Sequence, residues 1–94
     1  MKFEWDDKKR AKVLSEHGLD FAEVARTFRG PRIADFDWAH SESEDRWRML
    51  GFLDGKVICV VYAQRGETVR LITARIANSE ETQLFYEEFF GESL

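Results

Sequence analysis

Cations spaced along the chain are its first hint of chemistry: Arg46 and Arg48 together, Arg65 beside a glycine, Arg75 further on, and His17 and Lys8-Lys9-Arg10-Lys12 near the start. Arg and Lys can hold an anion and neutralise charge that develops on it. His, Glu, Lys or Tyr can move a proton. Spacing alone does not group these residues into one site.

Each candidate also has a structural reading. By strand alternation Arg75 shares a face with Val69, Leu71 and Thr73, so it needs a counter-charge or a ligand. A helix carboxylate or a phosphate would serve. Arg46 and Arg48 share a face with Leu50; a strand-end Arg there can reach solvent or pair locally. Arg65 at a hairpin tip is either solvated or, beside Arg46 and Arg75, a phosphate contact. His17 sits at a helix end, where it can favour the helix dipole or act in proton transfer. Lys8, Lys9 and Lys12 form a basic helix face, solvated or touching an RNA backbone. Tyr86 reads as core, Cys59 as a small core hydrophobe and His40 as surface.

The elements that would position them follow from pattern. Residues 3–5 form a short strand or extended lead-in. Asp6 caps a helix over about 7–16, and Gly18 ends it. Asp20 and Glu23 make a capping-box pair for a second helix, whose Phe21, Val24, Ala25 and Phe28 form one apolar face before Gly30-Pro31. Ile33–Trp38 alternates as a strand, with Ala34, Phe36 and Trp38 on one face and Asp35 and Asp37 on the other. After an acidic loop over 39–45, Arg46–Leu53 and Lys56–Ala63 are strands joined at Asp54-Gly55, and Thr68–Ile76 returns. Asn78 and Glu81 cap a last helix that packs through Thr82, Phe85, Tyr86 and Phe89, and Gly91–Leu94 should fray. The expected class is α+β, in the order α-α-β-β-β-β-α, an antiparallel sheet with helices against one face.

A length of 94 residues fits one domain spanning 1–94. Aromatics at 14%, with three Trp and eight Phe, imply bulky packing and a surface for a partner. No apolar run is long enough to cross a membrane. The first residues lack a secretory apolar stretch, and Cys59 stands alone, which suits a reducing cytoplasm. No zinc spacing or phosphate-binding glycine loop occurs, so neither metal nor cofactor is expected. The net charge of −4 argues against general nucleic-acid binding. However, Glu80, Glu81, Glu87, Glu88 and Glu92 all follow Arg75; without them 13 acids face 14 bases. The acidity belongs to the tail.

Taken in order, Trp5-Asp6-x-x-Lys9, His17-Gly18-x-x-Phe21, Arg46 and Ile72-Thr73-Ala74-Arg75 resemble the BrnT family, bacterial toxins of type II toxin–antitoxin systems. The resemblance implies a compact fold related to RelE-type toxins and a ribonuclease that inhibits translation and growth. It implies neutralisation by an antitoxin with a ribbon-helix-helix DNA-binding domain, through which the pair would bind operator DNA and repress its own operon. Under this reading Arg46 and Arg75, which match the family motifs, together with Arg65 from its hairpin-tip position, take phosphate and transition-state charge, and His17 with Lys9 takes proton transfer or positioning. Lys8 and Lys12 of the basic helix face would add RNA contacts. The chain departs from the family pattern at Val13, where Asn is common, at Glu16, where a basic residue is usual, and at Thr73, where Ser is usual. Val13, Glu16 and the acidic tail motivate an alternative, a non-catalytic module acting with its antitoxin in operon regulation. A third reading is a scaffold domain that pairs through its aromatics.

Overall fold

The computed structural model describes residues 1–91, except the side chain of His40. The end expected to fray thus lies, from residue 92 on, outside the described residues, as does the surface placement of His40. The elements are β1 (Lys2–Glu4), α1 (Asp7–His17), α2 (Phe21–Val24), β2 (Ile33–Phe36), β3 (Trp47–Leu53), β4 (Lys56–Arg65), β5 (Thr68–Ile76) and α3 (Ser79–Phe90). They form an α+β fold on a five-stranded sheet of order β1-β5-β4-β3-β2.

The class and order agree with the sequence pattern, and three features go beyond it. First, the lead-in is a true strand that pairs in parallel with β5, from Lys2 opposite Thr68 to Glu4 opposite Arg70, so the sheet is mixed. Three residues are too few for alternation to mark a strand, and β5 supplies the partner. Second, helices cover both faces, because β3 and β4 carry apolar residues on both. Met49, Ile58 and Val60 pack with Val13, Phe21, Val24 and Phe28. Leu50, Val57 and Cys59 alternate with them and pack with Phe85 of α3. Third, β2 stops at Phe36. Trp38 lies in a 3-10 turn, 85% exposed, with its ring on Phe36 at 4.5 Å, and Asp37 is buried.

Local chemistry accounts for the helix ends. The Asp6 carboxylate accepts from the Lys8 and Lys9 amides at 2.7 and 3.3 Å, and left-handed Gly18 donates to the Leu14 carbonyl at 3.0 Å. Asp20 caps α2 through the Ala22 amide at 3.1 Å. It also accepts two hydrogen bonds from Arg10, at 2.8 and 3.1 Å, which tie α1 to α2. That guanidinium holds the Asp20 carboxyl below its ordinary range. After one α-turn, α2 tightens into a 3-10 turn over Ala25–Arg29, so Phe21, Val24 and Thr27 fall inward at intervals of three.

The Asp54-Gly55 hairpin forms as expected, with both φ angles positive, 48° and 82°. That is the twist a two-residue hairpin requires. Glycine matters differently at Gly51. A Cβ there would sit 3.0 Å from the Cβ of Thr27, whose hydroxyl donates to the Val24 carbonyl at 2.7 Å. Gly51→Ala should therefore overpack the contact of β3 with the 3-10 turn and cost about 1–3 kcal/mol. Urea denaturation checks this: the midpoint should fall at constant slope, and an unchanged midpoint would refute the close approach.

Candidate active site

The site residues depend on one irregularity in β5. Tyr62 pairs with Leu71 and Val61 with Thr73, so Ile72 is the extra residue of a bulge. Before it, Val69 and Leu71 face the α1–α2 core; after it Ala74 does, opposite Val60. Alternation without a bulge puts Arg75 with Val69 and Leu71. The extra residue instead turns Thr73 and Arg75 onto the α3 face, opposite Val61 and Cys59.

On that face the register lays out rows. Arg65 pairs with Thr68 at the hairpin end. Next, Arg70 pairs with Ala63 and Glu4. Then Arg48, Val61 and Thr73 align, followed by Leu50, Cys59 and Arg75. With Arg46 just ahead of β3, five arginines lie along one face of the sheet. Arg65, which ends β4 opposite Thr68, and Arg75 of β5 lie at opposite ends of the β4–β5 ladder, about 20 Å apart at ~3.3 Å per residue. The expected grouping of Arg65 beside Arg75 does not occur, because a hairpin tip and the far end of its own strand cannot meet.

The candidates thus divide into two clusters. In the first, His17, Asp37, Arg48, Cys59, Val61, Thr73 and Arg75 line an open cavity of about 240 Å³. His17 arrives there because Gly18 ends α1 beside β5. Its Nε2 is 3.8 Å from Oε2 of Glu16. Arg75 donates to both carboxylate oxygens of Glu81, at 2.8 and 2.9 Å, and to the Ile76 carbonyl at 3.2 Å. Arg75 therefore has the helix carboxylate that one of its two readings required. Burial pushes the Cys59 thiol above its ordinary pKa, leaving it a protonated core group.

In the second cluster, Lys9 and Arg46 line a smaller hollow with Asp6, Glu44 and Arg70. Ser41 folds the preceding loop: its hydroxyl donates to the Asp37 carbonyl at 2.6 Å and accepts from the Arg46 amide at 3.0 Å. Among the described residues the buried Nε of Arg46 has no hydrogen-bond partner, Glu44 Oε1 being 3.9 Å away. Glu44 is taken instead by Arg65, at 2.6 Å, which holds its carboxyl below the ordinary range. Arg70 is paired with Glu4 at 2.7 Å. Of the remaining candidates, Lys8 is exposed, and Lys12 makes a long contact of 3.9 Å to Glu16. Tyr86 packs against the core of Leu50, Val57, Cys59 and Phe85.

Sequence reasoning left Arg48, Asp37 and Thr73 outside the site. The Arg46–Arg48–Leu50 alternation held the signal for Arg48. Nothing local marks Asp37 as buried. Val13, a departure from the family pattern, is 3% exposed and simply belongs to the core. No group of three His, Cys, Asp or Glu side chains placed to hold a metal ion occurs among the described residues. No helix among them is long and apolar enough to cross a membrane.

A mixed sheet with an arginine-lined face and a histidine at its margin defines a class of small α+β protein suited to an anionic ligand. A family model described as the ribonuclease toxin BrnT of type II toxin–antitoxin systems matches residues 5–81, and the chain belongs to that family. No curated protein matches it. Membership makes the chain a ribonuclease toxin by family and implies a cognate antitoxin.

The Arg75–Glu81 pair has a pH signature. Hydrogen bonding from Arg75 is the largest influence holding the Glu81 carboxyl below its ordinary 4.5. The stabilisation is therefore complete above that value and is lost as pH falls through the lower, folded value. Wild-type stability should decline below about pH 4.5, and Glu81→Gln should flatten that decline. Identical acid limbs in pH-dependent denaturation of the two proteins would refute the coupling. The Glu81 amide donates to Asn78 Oδ1 at 2.8 Å, and the Asn78 amide donates to Glu81 Oε1 at 2.9 Å. Asn78→Ala should thus cost about 1 kcal/mol, read as a lower melting temperature.

Proposed function

We propose that the chain, as one toxin domain over residues 1–94, cleaves RNA without a metal, by attack of a ribose 2′-OH on its own phosphodiester. The observation that carries this reading is the meeting of His17, Thr73 and Arg75 in one cavity, within a family of ribonuclease toxins. Arg75 neutralises charge on the phosphorane-like transition state, and an arginine fork matches phosphate oxygens. The 2′-oxygen gives up its proton as it bonds to phosphorus, the P–O5′ bond breaks to leave a 2′,3′-cyclic phosphate, and the departing 5′-oxygen takes a proton. His17 moves the proton, with Lys9 in the next hollow along the face to help position it. Lys9 and Arg46, one hollow along the same face, hold the adjoining backbone, with Arg65, Lys8 and Lys12 as outer contacts. Phosphate must compete with Glu81 for Arg75, so substrate binding loosens that carboxylate.

The neutralising partner in this reading is an antitoxin with a ribbon-helix-helix domain. The complex reaches operator DNA only through it, in the bacterial cytoplasm where the RNA substrate lies. The relation to RelE-type toxins belongs to the same proposal. A second reading, a toxin fold kept only for antitoxin binding and autoregulation, is favoured by Glu81 occupying Arg75 and Glu16 standing beside His17.

Expression of the chain alone, beside Arg75→Ala and Arg46→Ala, separates the two. In the catalytic reading the wild type arrests growth and depletes RNA. Each substitution slows cleavage by roughly 10²-fold or more while the protein stays folded. Normal growth with intact RNA and folded protein would select the binding module.

A further inference from the structure

Arg48 belongs to the first cluster and stands in its row nearer the second. It shares the Val61–Thr73 row, one step along the face from Cys59 and Arg75, and it flanks Trp47 and Arg46. It lines the cavity of His17, Thr73 and Arg75, and also a neighbouring hollow formed with Ile33, Asp35, Leu50, Glu81 and Leu84.

Three other arginines on this face are engaged by carboxylates, Arg65 by Glu44, Arg70 by Glu4 and Arg75 by Glu81, while Arg46 lies 3.9 Å from the Glu44 that Arg65 holds. Arg48 is exposed, and no hydrogen bond or ion pair of its guanidinium forms among the described residues. Asp35 is its cross-strand neighbour, and Glu81 feels its charge without bonding it. Of the cavity's two arginines, the one tied up is Arg75, and Arg48 can take a phosphate without first breaking a pair.

We propose that Arg48 is the first phosphate contact of the RNA. It would seat the backbone between the Lys9–Arg46 hollow and the His17–Arg75 cavity, and so set the register of the scissile bond. This inference rests on the ribonuclease reading. It assigns Arg48 a binding and positioning role, distinct from the transition-state role of Arg75.

The test uses the full chain and a single-stranded RNA oligonucleotide, with a 2′-O-methylated version for binding. Arg48→Gln should weaken binding about tenfold at moderate salt and lower the slope of log K against log salt by about 0.7. It should raise KM more than it lowers kcat, and broaden the cleavage pattern on the unmodified RNA. Arg48→Lys should restore the salt slope. Unchanged binding and slope in Arg48→Gln, with the wild type binding RNA, would overturn this inference alone. A loss confined to kcat would overturn it too, by making Arg48 a transition-state group. Failure of the wild type to bind or cleave RNA would overturn the ribonuclease reading and this one together.

Discussion

One extra residue in β5 governs the chemistry of the surface. Where β4 meets β5 the pairing skips Ile72, and every side chain beyond it changes face. Ala74, small and fully buried, takes the core position that alternation would give to Thr73 or Arg75. An Arg driven into the Phe21–Val60 core would leave a charge without partners, at a cost of several kcal/mol. Placed on the α3 face, the same Arg finds Glu81 and an open cavity. The bulge turns the end of a strand that begins as core toward the cavity of His17.

The residues that mark the family at the N-terminus divide by task. Asp6 and Gly18 are the two ends of α1, satisfying amides and a carbonyl that would otherwise be orphaned. The Trp5 ring meets Phe21 edge-on at 6.0 Å, under the Arg10 guanidinium 5.6 Å from its centroid. Phe21 is fully buried, which is worth about 1.5–3 kcal/mol. These four set the length and tilt of α1. Lys9 and His17, left over from packing, then come to rest at the two hollows on the sheet face.

Charge on this face is balanced but not uniform. Glu4, Glu44 and Glu81 each neutralise arginines that would otherwise repel one another across rows a few ångströms apart. Two of these acids come from distant parts of the chain, the first strand and the loop before β3. Glu81, at the start of α3, also closes the helix cap, so the same carboxylate orders the helix and holds Arg75. A net charge of −4 thus coexists with a stripe of arginines, most of them individually paired with a carboxylate.

Much of this was legible in one dimension. Local signals marked the helix caps at Asp6, Asp20 and Asn78, the Asp54-Gly55 turn, the central strands and the apolar stripe of α2, since each depends on neighbours within a few residues. The ordered family residues also announced the class of activity. The tertiary structure decided the rest. It gave Lys2–Glu4 a parallel partner and α3 the second face of the sheet. It buried Asp37, exposed Trp38 and set Arg48 in the same cavity as His17. All of these turn on pairing register across strands distant in sequence, and a single bulged residue shifts that register without altering the hydrophobic pattern that a reader of the sequence sees.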